Sequence, residues 1–397
     1  MGWFRLALKY IAYHKFKTMI LIACIFLTAF LPIAIEVLLN EFETSIAARA
    51  QQTPLVVGAQ GSRFDLTLRS LYFKLGESEN TAQEFIALGE ADAIESSGLA
   101  TAIPIHSKFT AAGRPVVGTS LDYFEFRKLE MAQGDGLIQI GDCVLGAKVA
   151  EELRLSPGDK LLTDIESVIS IASYPLKMHV RGILNANHSA DDWAVFVDLK
   201  TAWIIDGIGH GHQNVEEVEE EKLLTKSDDK IVASAAVLPY TEINEKNISS
   251  FHFHGDNSEF PVSAIIAIPP DEKSETILIG RYRKTADGQQ LVVPGDVIND
   301  LMRLVFQVKR FFDANAILIA ISTVLLLLLI FVLSFKLRER EMQTMFKMGA
   351  SRSAMTMLHV GELLIIVLVG AVLVAGASWW VSSRADDLVR LVLLGGG

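Results

Sequence analysis

The chain has 397 residues, half of them hydrophobic, with a mean hydropathy of +0.34 and a formal net charge of −11. Totals of this kind fit a soluble protein with a rich core, or a soluble domain carried on membrane spans. An acidic balance argues against a nucleic-acid partner, whose footprint is basic.

Distribution decides between the first two classes. In chain order, residues 1–18 place Trp3, Phe4, Ala7, Leu8 and Ile11 on one helical face, with Arg5, Lys9 and Lys15 largely off it. This predicts an interfacial helix lying on a membrane leaflet. Residues 19–39, MILIACIFLTAFLPIAIEVLL, are long enough to cross a bilayer core, which needs about 20 apolar residues. Ala48-Arg49-Ala50 resembles a cleavage site, but the apolar run before it is too long for a signal peptide, so a retained span is expected.

From residue 40 to 313 the pattern is that of a mixed α/β domain. A strand is expected at 53–59 and an amphipathic segment at 63–73. A helix is expected at 81–97, with Thr81 and Glu84 at capping-box spacing. Alternation predicts strands across 99–124 and 175–184. Residues 142–162 read as strand, glycine, helix, Pro-Gly turn and strand, and 193–205 as strand into helix. The glycines and acid run of 207–230 predict a solvated loop, or a loop with a short helix. Strands resume in IVASAAVLPY and SAIIAIPP, and a helix starting near Asp296 or Val297 is expected to run into the next span. About 270 residues can fold on their own core, as two subdomains. Cys24 in a span and Cys143 in this domain cannot pair within one chain.

Residues 314–335 form the second span and 360–382 the third, which closes on Trp379 and Trp380 at headgroup depth. Lys and Arg cluster before the first span and between the second and third, which marks both segments as cytoplasmic. The 40–313 segment is then outside, and it is acidic, with 25 Lys and Arg against 41 Asp and Glu. The cytoplasmic loop, 336–359, contains FKLREREMQTMFKMGASRSAM with the preceding Phe335. Met342, Met345 and Phe346 make one apolar stripe, Gly349 is placed to stop that helix, and Ser351 to cap the next. Methionines suit a partner's groove. No G-x-x-x-x-G-K-[ST] and no nucleophile–base constellation is found, so the chain is expected to be a non-catalytic membrane subunit.

This order of basic helix, span, outer domain, span, R-E-R-E-M…K-M-G-A-S-R loop and span resembles the permease subunits of MacB/FtsX/LolC-type ABC transporters. Residues 55–73, 144–162 and 180–203 are similar as well. The resemblance implies an α+β membrane protein with three transmembrane helices and a large periplasmic domain inserted between the first and second. It also implies the bacterial inner membrane as location and coupling to an ATPase. Arg338, Glu339, Arg340 and Glu341 match the entry of the coupling loop, and Gly349, Ala350, Ser351 and Arg352 match its turn; Met345 lies between them. The implied partners are a cytoplasmic ABC ATPase that binds ATP and magnesium, a second permease copy in a homo- or heterodimer, membrane lipids and a periplasmic protein. Family members usually have a fourth span, whereas residues 383–397 carry an apolar part too short to cross. Either this is a three-span version or the tail is an interfacial stub.

His210-Gly-His212 and His252-Phe-His254 are H-x-H pairs, the first beside Glu216, Glu217, Glu219, Glu220 and Glu221. On a strand, i and i+2 share a face, so each pair can supply one edge of a metal site, and imidazole with carboxylate suits zinc. Solvated loops with chance histidines are the other reading. The functional expectation is a force-transmitting permease. The alternatives are a membrane-anchored sensory or scaffold protein, or a transporter tied to zinc handling.

Overall fold

The computed structural model describes residues 8–9, 11–73, 85–164, 175–211, 223–227, 230–233, 241–284, 288–337, 339–349 and 352–394. They fall into two compact units, one of residues 1–45 and 301–392, the other of residues 46–300 with 393–397.

The first unit holds the apolar helices. Residues 11–13 are helical and His14 is a turn, so the break before the first long helix falls at residue 14 and not at 18. Helix α1 (Lys15–Gln51) follows without interruption at Pro32. Three helices are long and apolar enough to cross a membrane, at Lys15–Gln51, Pro294–Ile330 and Val360–Ala385. Within the first unit, Thr28 and Thr323 share a hydrogen bond of 3.0 Å. A Cβ on Gly370 would come within 2.9 Å of Ile25, so glycine permits the first and third helices to pack closely. Two acids within the apolar stretches are each paired with a lysine of another helix: Glu36 with Lys309 at 2.6 Å and Glu362 with Lys17 at 3.4 Å.

The second unit is mixed α/β. Strand β1 (Leu55–Ala59) and helix α2 (Arg63–Tyr72) open it, with Ser62 accepting from the Asp65 amide at the helix start. Next come β2 (Ile86–Ala87) and α3 (Gly89–Ser96), so the helix expected over 81–97 is shorter and is preceded by a strand. Residues 81–84 lie outside the described residues. Strands β3 (Thr101–Ala111) and β4 (Arg114–Thr119) appear as expected, but 121–124 belongs to helix α4 (Leu121–Arg127). Then follow β5 (Met131–Gly134), β6 (Asp142–Leu145), α5 (Ala147–Leu153), β7 (Lys160–Leu162) and β8 (Lys177–Leu184). The order predicted for 142–162 is therefore reproduced, including the turn at Pro157-Gly158.

A 3-10 turn at Ala190–Trp193 leads to β9 (Val195–Asp198) and α6 (Leu199–Ile205), which Asp198 caps from its side chain. The stretch expected to be a solvated loop instead contains β10 (Gly209–Gly211) and β11 (Leu223–Ser227), followed by β12 (Lys230–Ala233). A three-residue strand such as β10 is set by its pairing partner and not by propensity, and the acid run of 216–221 lies outside the described residues. The remaining elements are β13 (Phe251–Phe253), β14 (Pro261–Val262), β15 (Ala264–Ile268), α7 (Glu272–Lys284) and β16 (Gln289–Val292). Helix α8 (Pro294–Leu337) then runs unbroken through the second apolar segment.

Ten strands form one sheet, in the order β16-β1-β15-β3-β4-β9-β6-β8-β5 with β7 paired to β8. It is mixed: β4–β9 and β6–β8 are parallel, and the other pairs antiparallel. Its middle strands are buried on both faces, as in Val56, Val57, Ile265, Ile266, Val195 and Phe196. Two core clusters share the sheet. One gathers Leu55, Val57, Ile94, Val262, Ile265 and Leu278, the other Cys143, Leu145, Val149, Met178, Val180 and Val195. The two expected subdomains are therefore two cores on one sheet, not two separate bodies.

Candidate functional site

Helix α8 ends at Leu337, helix α9 spans Glu339–Lys347, and helix α10 spans Arg352–Leu394. Between α9 and α10 the Met348 amide donates to the Thr344 carbonyl at 3.1 Å and the Gly349 amide to Phe346 at 3.0 Å. Gly349 has φ +97°, and nothing lies within 4 Å of where a Cβ would sit. Conformation and not space therefore calls for glycine, since a side chain in the left-handed region costs about 1–2 kcal/mol. Of the residues expected to couple, Glu339 opens α9 and is exposed, Arg340, Glu341 and Met345 lie within α9, and Arg352 opens α10. Arg338, Ala350 and Ser351 lie outside the described residues, so the Ser351 cap does too. Phe346 and Met348 are 50% and 76% exposed. The broken-helix form of the loop was legible in advance. Helix α10 continues past 382 to Leu394, so residues 383–394 extend the third apolar helix.

A second constellation was not anticipated. The last residues of α1, Ile46–Gln51, belong to the outer unit, and Arg49 is buried there. Its guanidinium grips Asp191 through two bonds, Nη1 to Oδ2 at 2.8 Å and Nη2 to Oδ1 at 2.9 Å. Nη2 also donates to the Tyr123 hydroxyl and Nε to the Leu71 carbonyl. Tyr123 in turn donates to Asp191 at 2.7 Å, and the Ser189 hydroxyl to the other carboxylate oxygen. Burial alone would push the Asp191 carboxyl up, but the Arg49 charge and the hydrogen bonds from Arg49 and Tyr123 outweigh it and hold it at about 2. Burial and the Asp191 charge raise the Tyr123 phenol, which stays protonated and donates.

The neighbouring backbone is equally tight. A Cβ on Gly146 would lie 2.2 Å from the Asp191 carbonyl and 2.4 Å from that of Asp192. Two of the segments that carry the sequence resemblance, 55–73 and 180–203, thus meet at Arg49, and the third, 144–162, packs through Gly146 against the backbone of Asp191 and Asp192. Arg49 and Asp191 stand 142 positions apart. No local pattern could have joined them.

The histidines resolve into separate fates. His179 contacts Glu242 at 3.0 Å, in a cluster with Lys160 and Lys177. His188 sits exposed in a loop at φ +57°. His210, His252 and His254 come together, with ring centroids 4.8 to 5.1 Å apart. Their nearest ligand nitrogens all lie within 4.8 Å of one another, His210 half-buried and the other two exposed. His212 lies outside the described residues.

Three helices long and apolar enough to cross a membrane, a large mixed domain between the first two, and a helix broken at Gly349 between the last two make up the described chain. A model described as the MacB-like periplasmic core domain matches residues 19–237, more than half the chain. One described as the FtsX-like permease C-terminal region matches residues 315–393. The chain belongs to the MacB/FtsX-type family of ABC transporter permeases, and is a membrane protein with a periplasmic domain.

Among solved structures, the periplasmic region of MacB from Actinobacillus actinomycetemcomitans is 10% identical with a TM-score of 0.35, covering 64% of this chain and 94% of that one. The extracellular domain of the noncanonic ABC-type transporter YknZ from Gram-positive bacteria is 10% identical with a TM-score of 0.33, covering 60% and 98%. A domain of a putative permease from Porphyromonas gingivalis is 9% identical with a TM-score of 0.24, covering 60% and 86%. The comparison with curated proteins gave no match.

Proposed function

We propose that this permease works by transmitting force from a separate cytoplasmic ATPase to its periplasmic domain. It does so as a homodimer, or as a heterodimer with a related permease, in the bacterial inner membrane. The observation that carries the reading is the break at Gly349 between α9 and α10, set between two long apolar helices in a chain of this family. The N-terminus and the 336–359 loop face the cytoplasm, in keeping with their Lys and Arg. Arg338, Glu339, Arg340, Glu341, Met345, Gly349, Ala350, Ser351 and Arg352 form the surface on which the ATPase closes. ATP and magnesium are bound by that subunit.

Force transmission suits this chain better than a channel. Thr28 and Thr323 satisfy each other, and Glu36 and Glu362 are each paired with a lysine, which leaves no polar lining built from these residues. Helices α1 and α8 each carry an apolar segment and, at one end, residues of the outer unit, which supports them as the elements through which force would pass. The buried grip of Arg49 on Asp191 and Tyr123 would then be the joint by which α1 moves the sheet. Gly349→Pro and Arg352→Glu are expected to abolish stimulation of the ATPase while leaving membrane insertion intact. Retained stimulation in both variants, measured on the reconstituted complex, refutes the assignment of the loop.

A further inference from the structure

Strands β10 and β13 form a two-stranded antiparallel ladder apart from the main sheet, pairing Gly209 with Phe253, His210 with His252 and Gly211 with Phe251. Successive side chains of a strand point to opposite faces, so the sequence F-H-F sends both phenylalanines one way and His252 the other. The phenylalanines face inward. Phe251 and Phe253 pack on the core, and Phe253 also meets Trp203 and Phe260 at ring distances of 6.4 and 5.9 Å.

Both glycines are needed for this arrangement. A Cβ on Gly209 would lie 2.4 Å from the Phe253 ring, and one on Gly211 would lie 2.8 Å from the Phe251 ring. The rings therefore lie over Gly209 and Gly211, and His210, between those glycines in the strand, pairs with His252 on the opposite face. His254 completes the cluster, its ring 5.1 Å from that of His210 and 4.8 Å from that of His252.

The chemistry of the three rings points to a cation. The Nδ1 of His252 lies 3.0 Å from the Ser250 carbonyl, an acceptor, so Nδ1 carries the proton and Nε2 bears the lone pair. Metal-binding histidines are commonly oriented in this way by a backbone carbonyl on the other nitrogen. Zinc held at about 2.0–2.1 Å by tetrahedral nitrogens needs them about 3.3–3.4 Å apart. The observed spread of up to 4.8 Å closes by small side-chain rotations, for which the two exposed rings have room. Three nitrogen donors disfavour calcium and magnesium, which take oxygen, and suit zinc and its first-row neighbours.

We propose that His210, His252 and His254 form a three-histidine site for a divalent transition cation, zinc foremost, on the outer domain. Its fourth coordination position is open to water or to a donor from a partner. The site stands independently of ATPase coupling and is tested without the ATPase.

The experiment uses the full chain in lipid nanodiscs, purified without a polyhistidine tag, and titrates zinc alone against a chromophoric chelator. One zinc per chain is expected, unaffected by millimolar calcium or magnesium. His210→Ala, His252→Ala and His254→Ala should each weaken binding at least about tenfold. His188→Ala, outside the cluster, should leave it unchanged. Cobalt(II) should give the visible bands of a tetrahedral nitrogen site in the wild type and lose them in the triple variant. Circular dichroism of that variant, alike to the wild type, excludes unfolding as the cause. Wild-type binding weaker than roughly 100 μM overturns the proposal. So does a zinc stoichiometry that survives replacement of all three histidines.

Discussion

The Arg49 joint and the three-histidine cluster both gather polar side chains in the outer unit, yet they are built in opposite ways. Arg49 and Asp191 have side chains 7% and 1% exposed, and the guanidinium's donors meet a carboxylate, a hydroxyl and a carbonyl. Two of the histidines are exposed, and a ring nitrogen from each of the three lies within 4.8 Å of the others. A sealed network whose charges cancel can only hold structure in register, because a ligand has no room to enter. An open set of convergent donors adds little to folding until something binds. Burial and mutual satisfaction thus separate a joint from a site.

Breaking the joint should have the largest effect. Arg49→Met leaves Asp191 buried without its counter-charge and is expected to cost about 3–5 kcal/mol in unfolding free energy. The double variant Arg49→Met/Asp191→Leu should recover part of that loss, because both buried charges are then gone. Denaturant unfolding of the two variants in nanodiscs measures the difference. Equal loss in both would show that packing and not charge holds the joint.

A smaller effect should follow pH. The Asp191 carboxyl titrates lower in the folded protein, at about 2, than in the unfolded chain, at about 3.9. Its contribution is therefore complete above the unfolded value and is lost as pH falls from there through the folded one. It amounts to about 2–3 kcal/mol. The stability difference between wild type and Asp191→Asn should accordingly shrink between about pH 4 and pH 2. A difference that stays constant over that window would assign the interaction to something other than the ionised carboxylate.

The smallest effect belongs to the open cluster. Without metal, the double variant His252→Ala/His254→Ala should unfold within about 0.5 kcal/mol of wild type, as exposed substitutions do. A much larger loss would make the cluster a structural element like the joint and erase the contrast between them.

Much of this molecule is legible in one dimension. The three apolar helices fall where runs of about 20 apolar residues lie, and the α9–Gly349–α10 break follows from a glycine after an amphipathic stripe. The 142–162 unit follows from its Pro-Gly turn. These depend on neighbours within a few residues, where backbone conformation and hydropathy act directly. The misreadings fall where distant partners decide. Gly209–Gly211 is a strand because Phe251 and Phe253 lie across its glycines, about forty positions on. The helix expected over 81–97 yields to a strand at Ile86–Ala87 because that pair meets Pro261 and Val262.

The sequence alone therefore determined the apolar spans, the charge asymmetry of the segments between them, the break in the 336–359 loop and the presence of two H-x-H pairs. Only the tertiary structure decided that one histidine of the first pair meets both of the second, and that Arg49 closes on Asp191 and Tyr123. The reason is physical: local periodicity sets which way a side chain points, but the partner it finds there is chosen by long-range packing.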